Sequence, residues 1–195
     1  MMLTDVKTYR KPEFEIDEMF LNRWSPRSFS EKEVPTEILS SLFEAARWAP
    51  SAFNFQPWRF IVAKTNEERE TFHSFISEFN LTWCKKAPVL SLIISKKAKD
   101  GAEFPTHSFD TGAAWGYLAL QANKSGLVTH PMTGFDFQKA REVLEIPEDY
   151  AIEALVAIGY QDEKEKLPEK LQQREHPNER QSLQEFIFNG KFGSK

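Results

Sequence analysis

The sequence predicts an α+β fold, a small mixed or antiparallel β-sheet flanked by helices, and three observations carry the prediction. Short apolar runs recur at 59–63, 88–95, 127–130 and 151–160, with the length and composition of buried strands. Between them lie segments with apolar residues at helical spacing, as at Ile38, Leu39, Leu42, Phe43 and Ala46. With 195 residues, 41% of them hydrophobic, the chain is long enough for one sizeable core. No repeat, low-complexity stretch or boundary divides it, so residues 1–195 are expected to form a single domain.

The elements follow in order. Residues 1–12 are polar and expected to be extended or frayed. From Phe14 to Asn22, Ile16, Met19 and Phe20 fall at helical spacing and predict a short helix. It runs into the turn Arg23-Trp24-Ser25-Pro26-Arg27, where two guanidinium groups flank the Ser25 hydroxyl. Forked donors with no acceptor suit a phosphate, although two arginines alone are more often a solvated surface turn. The next helix is expected to start at Pro35-Thr36, with Thr36 as a cap, and to stop at Pro50.

Pro50 to Trp58 connects that helix to the strand at 59–63 and carries Asn54 and Gln56, amides with both donors and acceptors. Capping of the loop itself is the commoner use of such residues. Trp58 is expected in the core. Residues 65–82 predict one amphipathic helix with Phe72, Phe75, Ile76 and Phe79 on its apolar side and His73 exposed. Pro88 to Ser95 reads as a central strand. Lys96 to Thr106 reads as a polar surface loop, of a length that also suits a flap.

From Asp110 to Gly126, small residues dominate a helix: Gly112, Ala113, Ala114, Gly116, Ala119 and Ala122. Two glycines cost about 1 kcal/mol each against Ala, which close approach of another backbone would offset, from the same core or from a second subunit. Gly126 is expected to end the helix. In Pro131-Met132-Thr133-Gly134-Phe135-Asp136, Gly134 would let backbone pass close to a ligand, or the run is an ordinary turn with Asp136 capping a helix at 137–145. His130 beside it is a lone histidine, either at a ligand or structural, with no metal partner nearby. Residues 161–173 are charged and without core character, a spacer or an arm. Phe186, Ile187, Phe188 and Phe192 carry more apolar surface than a free tail exposes, so 183–195 is expected to be an arm packed on a partner subunit.

Composition excludes several classes. A net charge of −4 offers no general basic surface for nucleic acid. One cysteine, Cys84, leaves no intrachain disulfide and no cysteine-based zinc cluster. No apolar run approaches a signal peptide or the ~18 residues of a membrane span, so a cytoplasmic location is expected. There is no Gly-x-Gly-x-x-Gly, Gly-x-Ser-x-Gly or His-Glu-x-x-His, hence no dinucleotide fingerprint, hydrolase nucleophile or metal motif. Seventeen Phe and five Trp indicate aromatic core packing, or in part the lining of a flat cavity for a ring-shaped ligand.

Arg23-x-Ser25-x-Arg27, followed by Ala45-Ala46-Arg47-x-Ala49-Pro50-Ser51-x-x-Asn54-x-Gln56-Pro57-Trp58-x-Phe60, resembles the nitroreductase family of FMN-dependent enzymes. The likeness continues through Pro131-x-x-Gly134-Phe135-Asp136 to Arg180 and Leu183-x-Glu185. The resemblance implies a nitroreductase-like fold in an intertwined homodimer, with the small-residue helix at its heart. It places FMN against Arg23, Trp24, Ser25, Arg27 and Asn54, with Gln56 mainly structural behind Asn54. Thr133, through its main chain, and Gly134 would face the flavin N5, and Arg180 would reach the phosphate. Asn178 stands where a Lys is common in the family. The implied activity is oxidation of NADH or NADPH and reduction of nitroaromatics, quinones or related electrophiles. Hydride would pass through the flavin in two half-reactions at one site, without a catalytic side chain. The alternatives are a flavin carrier or redox sensor without turnover, and a same-fold enzyme that dehalogenates or fragments a flavin.

Overall fold

The computed structural model describes residues 5–99 and 101–195; residues 1–4 of the expected N-terminal extension, and Asp100 of the expected loop, lie outside the described residues. Helix α1 (Glu18–Asn22) is shorter than the spacing predicts, because the Asp17 carboxylate accepts the Met19 N–H at 2.8 Å and sets the start there. Helix α2 (Thr36–Arg47) buries Leu39, Leu42 and Ala46. Pro35 occupies its cap position with no side-chain hydrogen bond, so the expected Thr36 cap is not made; the Thr36 hydroxyl instead accepts from Lys64 Nζ at 3.1 Å.

Strand β1 (Trp58–Ala63) is followed by two helices where the sequence predicts one: α3 (Asn66–His73) and α4 (Glu78–Cys84). The break has a non-local cause. Ile76 forms an antiparallel bridge with Phe135, the Ser77 N–H donates to Gly134 O at 3.1 Å, and the Asp136 N–H donates to Phe75 O at 2.8 Å. Backbone committed to that pairing cannot stay helical, and the Ser77 hydroxyl then caps a new helix. The change of axis reverses two expectations: His73 is buried and Phe79 is exposed.

Strand β2 (Val89–Lys96) leads into a two-residue hairpin, β3 (Ala98–Lys99) with β4 (Ala102–Glu103), where a plain loop was expected. Helix α5 (His107–Lys124) ends in a left-handed Gly126 at φ 75°, with the Gly126 N–H bonded to Asn123 O and the Leu127 N–H to Ala122 O at 2.8 Å. Strand β5 (Val128–Met132), helix α6 (Phe137–Val143) capped by Asp136, strand β6 (Tyr150–Gly159) and helix α7 (Glu169–Gln172) complete the chain's main elements.

Four strands form one antiparallel sheet in the order β1-β2-β6-β5. Both faces of β2 and β6 are covered. Leu90, Leu92, Leu155 and Ala157 pack with Phe72, Phe75, Trp83 and Leu171, while Val89, Ile93, Val156 and Ile158 pack with Leu39, Leu42, Trp58 and Leu118. Each such buried side chain contributes on the order of 1.5–3 kcal/mol. Leu167 and Leu171 belong to the first of these layers, so the charged 161–173 segment does carry core residues, contrary to expectation. Cys84 lies in the same layer with no exposed surface, and burial pushes its thiol up to about 12.

A bulge opposite Ile93 and Ile94 leaves Glu153 as the extra residue of β6. Its carboxylate accepts the hydroxyls of Ser95 at 2.5 Å and Ser108 at 2.7 Å. With its proton committed to Glu153, Ser95 Oγ accepts from His107 Nδ1 at 2.7 Å. The cluster pins the start of α5 to the sheet. Among the described residues no helix is long and apolar enough to cross a membrane.

Candidate functional site

The turn at Arg23–Arg27 is fixed from below by a residue the sequence did not suggest. Glu175 Oε1 accepts the N–H groups of Arg27 at 2.7 Å and Ser28 at 2.8 Å, and the Ser28 hydroxyl donates to Glu163 O at 2.6 Å. Glu175 is buried, its Oε2 has no partner, and burial raises its carboxyl above the usual range against the pull of those N–H groups and Arg27. A second unanticipated residue closes the turn from the side. Arg10, expected in a frayed tail, donates from Nη1 to Arg23 O at 2.8 Å and from Nε to Asn178 O at 2.9 Å.

These contacts enclose a cavity of about 180 Å³ lined by Arg10, Arg23, Trp24, Ser25, Arg27, His130, Arg174, His176, Asn178 and Arg180. Arg23, Trp24, Ser25, Arg27 and Arg180 are therefore brought together, as the sequence predicts. Trp24 is buried and anchors the turn. Five guanidinium groups share this rim, and among the described residues none of them forms an ion pair with a carboxylate. Their surroundings disfavour so much positive charge. Burial, then Arg180 and Arg23, push Arg10 down to about 10. Burial and Arg180 lower Arg23; burial lowers Arg27, Glu175 opposes, and Arg174 adds to the lowering. A cluster of uncompensated, mutually repelling guanidinium groups fits a doubly charged phosphate.

Arg27 and His130 also line an adjoining hollow of about 460 Å³, whose far wall includes Thr133, Gly134 and Asn80. A Cβ on Gly134 would stand 2.4 Å from Asn80 Nδ2. A contact inside the chain thus crowds any side chain here, where the sequence offered close passage to a ligand or an ordinary turn as the reason for the glycine. The Gly134 N–H makes no hydrogen bond among the described residues, so this hollow offers a main-chain donor beside the arginine cavity.

His130 is structural in its contacts. Nδ1 donates to Pro26 O at 2.9 Å and the ring packs on Trp83 with centroids 4.4 Å apart. Burial pushes its imidazole from 6.5 down to about 4, so the folded chain holds it neutral. Between those two values the unfolded chain binds a proton that the folded chain does not, and stability falls as pH falls through the window. Thermal midpoints should therefore drop between about pH 7 and about pH 4.5, and the drop should be smaller in His130→Ala. An equal drop in both proteins would contradict the buried neutral assignment.

Asn54 and Gln56 are not at this site in the single chain. They precede β1, on the opposite edge of the sheet from β5, so two strands, or roughly 14 Å at about 4.8 Å per spacing, separate them from Thr133 and Gly134. Their loop is unusual: Phe53, Asn54 and Gln56 all have left-handed φ of 50°, 54° and 51°. It is tied by the Gln56 N–H to Ser51 Oγ at 3.0 Å, by Gln56 Nε2 to Asn54 O at 3.1 Å and by the Ala52 N–H to Asp110 Oδ2 at 3.1 Å. Such backbone strain of about 1–3 kcal/mol per residue collects at functional loops. Among the described residues no group of three or more His, Cys, Asp or Glu could hold a metal ion.

Comparison with known proteins bears on this arrangement. A sequence profile of the Nitroreductase family matches residues 21–82 and 68–160. An NADH dehydrogenase of Thermus thermophilus is 30% identical over 72% of this chain and 83% of its own length. An iodotyrosine deiodinase of Thermotoga neapolitana is 28% identical over 75% of this chain and 89% of its own. Among solved structures, an oxidoreductase containing FMN superposes with a TM-score of 0.92 at 41% identity over the whole of both chains.

Proposed function

The chain belongs to the nitroreductase family and is an FMN-dependent oxidoreductase using NAD(P)H, and from that premise we propose that it reduces nitroaromatics, quinones or related electrophiles as a homodimer. The observation that carries the site is the arginine cavity without ion pairs, joined through Arg27 and His130 to a hollow with a free main-chain donor. The FMN phosphate would lie among Arg23, Ser25, Arg27 and Arg180, with Arg10 and Arg174 adding charge. The ring would lie toward Thr133 and Gly134. On this reading residues 1–195 act as one FMN-binding domain.

The homodimer supplies what the single chain leaves apart. Asn54 would reach the flavin from the second copy. Beyond the neighbouring backbone of α5 itself, no described atom lies within 4 Å of where a Cβ would stand on Gly112 or Gly116, and Phe109 beside them is 81% exposed. The arm at 183–195, with Phe186 and Ile187 exposed and Phe192 91% exposed, would pack on the partner.

Bound FMN supplies hydride acceptance and donation. The protein's part is to bind, orient and exclude. The arginines would hold the phosphate, the Gly134 N–H offers a fixed donor, and His130, neutral and with its Nδ1 proton committed to Pro26 O, carries no imidazolium proton to give near neutral pH. NAD(P)H and the electrophile would occupy one hollow in turn. Purified protein should be yellow, hold one FMN per chain and oxidise NAD(P)H with a quinone along parallel double-reciprocal lines. Colourless protein that takes up no FMN would overturn the reading. A second reading, reductive dehalogenation, is favoured by the deiodinase relative, whose identity nearly equals that of the dehydrogenase. Iodide release from 3-iodotyrosine outpacing quinone reduction would decide for it. Bound FMN with no turnover of either acceptor would leave a carrier or sensor.

A further inference from the structure

Helix α4 carries a side-chain amide that ties the helix to the Gly134 loop. Asn80 is 8% exposed. Its Oδ1 accepts the indole N–H of Trp83 at 3.1 Å, and its Nδ2 donates to Gly134 O at 3.0 Å. Indole can only donate, so the Trp83 contact fixes which end of the amide faces Gly134. Gly134 O receives a second donor, the Ser77 N–H at 3.1 Å. One residue earlier, Thr133 O accepts the Phe135 N–H at 2.9 Å. Two successive carbonyls are therefore turned into the protein. In a planar trans peptide the N–H points opposite to the carbonyl, so the Gly134 N–H is directed away from the Thr133 O contact.

A glycine between two free peptides would rotate readily. Here Asn80 holds the Gly134–Phe135 peptide by its carbonyl, and the Phe135 N–H of that peptide in turn holds Thr133 O, the carbonyl of the peptide that carries the Gly134 N–H. Resting on the FMN reading above, we propose that Asn80 is the positioning residue that holds the Gly134 amide as the donor to the flavin ring. A donor fixed before the ligand arrives pays no reorganisation, which is the condition for strong electrostatic assistance.

The test separates ring from phosphate. FMN is removed from the holoprotein and the apoprotein is titrated with FMN and with riboflavin, which has the ring but no phosphate. Asn80→Asp keeps the acceptor for Trp83 and replaces the donor, Asn80→Ala removes both, and Thr82→Ala on the same helix is the control. Circular dichroism confirms folding. Both Asn80 variants should bind both flavins about fivefold to tenfold more weakly, by the same factor for each, and Thr82→Ala should match wild type. With 15N-labelled FMN, the N5 resonance should move toward that of a flavin without a hydrogen bond there. In wild-type apoprotein labelled with 15N, riboflavin should shift the Gly134 main-chain amide and the Asn80 side-chain amide together, a measurement that needs no variant. Flavin binding in wild type with neither amide shifted, or folded Asn80 variants with wild-type affinities and N5 resonance, would overturn this role alone. Wild-type protein that takes up no flavin would overturn the functional reading and this role with it.

Discussion

Gly116→Leu should convert the proposed homodimer to a monomer and release its FMN. The variant is a clean probe because, beyond the neighbouring backbone of α5 itself, no described atom lies within 4 Å of the Gly116 Cβ position. In the isolated protomer the change should even help, since Gly costs a helix interior about 0.8–1 kcal/mol and Leu little. In a dimer whose two α5 helices meet at this face, four added carbon atoms would push apart backbones that pack at about 8–10 Å. Loss of the partner would remove Asn54 and the arm from the site. FMN affinity should fall at least about tenfold, the worth of one hydrogen bond and its surroundings. Light scattering and flavin absorbance after gel filtration read both effects. A Gly116→Leu protein that stays dimeric with full FMN would take α5 out of the interface.

Arg180→Ala and Arg27→Ala should each weaken FMN by about 10- to 100-fold, or about 1.5–3 kcal/mol for a charged hydrogen bond, and leave riboflavin nearly untouched. Arg180→Ala should move ligand-free stability the other way. Arg180 lowers the pKa of both Arg10 and Arg23, which is to say that the empty cluster repels itself. Removing one charge relieves that repulsion, so the Arg180→Ala apoprotein should melt higher than wild type and its holoprotein lower. Equal losses for FMN and riboflavin would mean that these arginines do not face the phosphate.

What could be read from the sequence was local in origin. The β2 run of Val89 to Ser95, the apolar face of α2 and the Gly126 stop each follow from a few neighbouring residues, and each is present. The helix broken at 74–77 was not legible, because its cause is pairing with residues 134–136. The same holds for the site. Arg23, Ser25, Arg27 and Arg180 were found through a resemblance, and the chain gathers them. Arg10, Asn80 and Glu175 were missed since their partners lie at Asn178, Gly134 and Arg27, and no spacing rule joins positions so far apart. Asn54 was placed with the others by the same resemblance. One copy of the chain holds it at the far edge of the sheet from Thr133 and Gly134.

The buried Cys84 bears on how long such a protein would survive its own work. Quinones and the products of nitro reduction alkylate thiolates, and the thiolate is the form that reacts. With burial pushing its thiol up to about 12, Cys84 carries almost no thiolate at neutral pH. It also lies wholly out of solvent. The chain's one thiol is thus shielded twice over, and arylation during turnover would have to fall on other side chains instead. Inactivation by a reactive quinone should accordingly be slow and without loss of the single titratable sulfhydryl measured after denaturation.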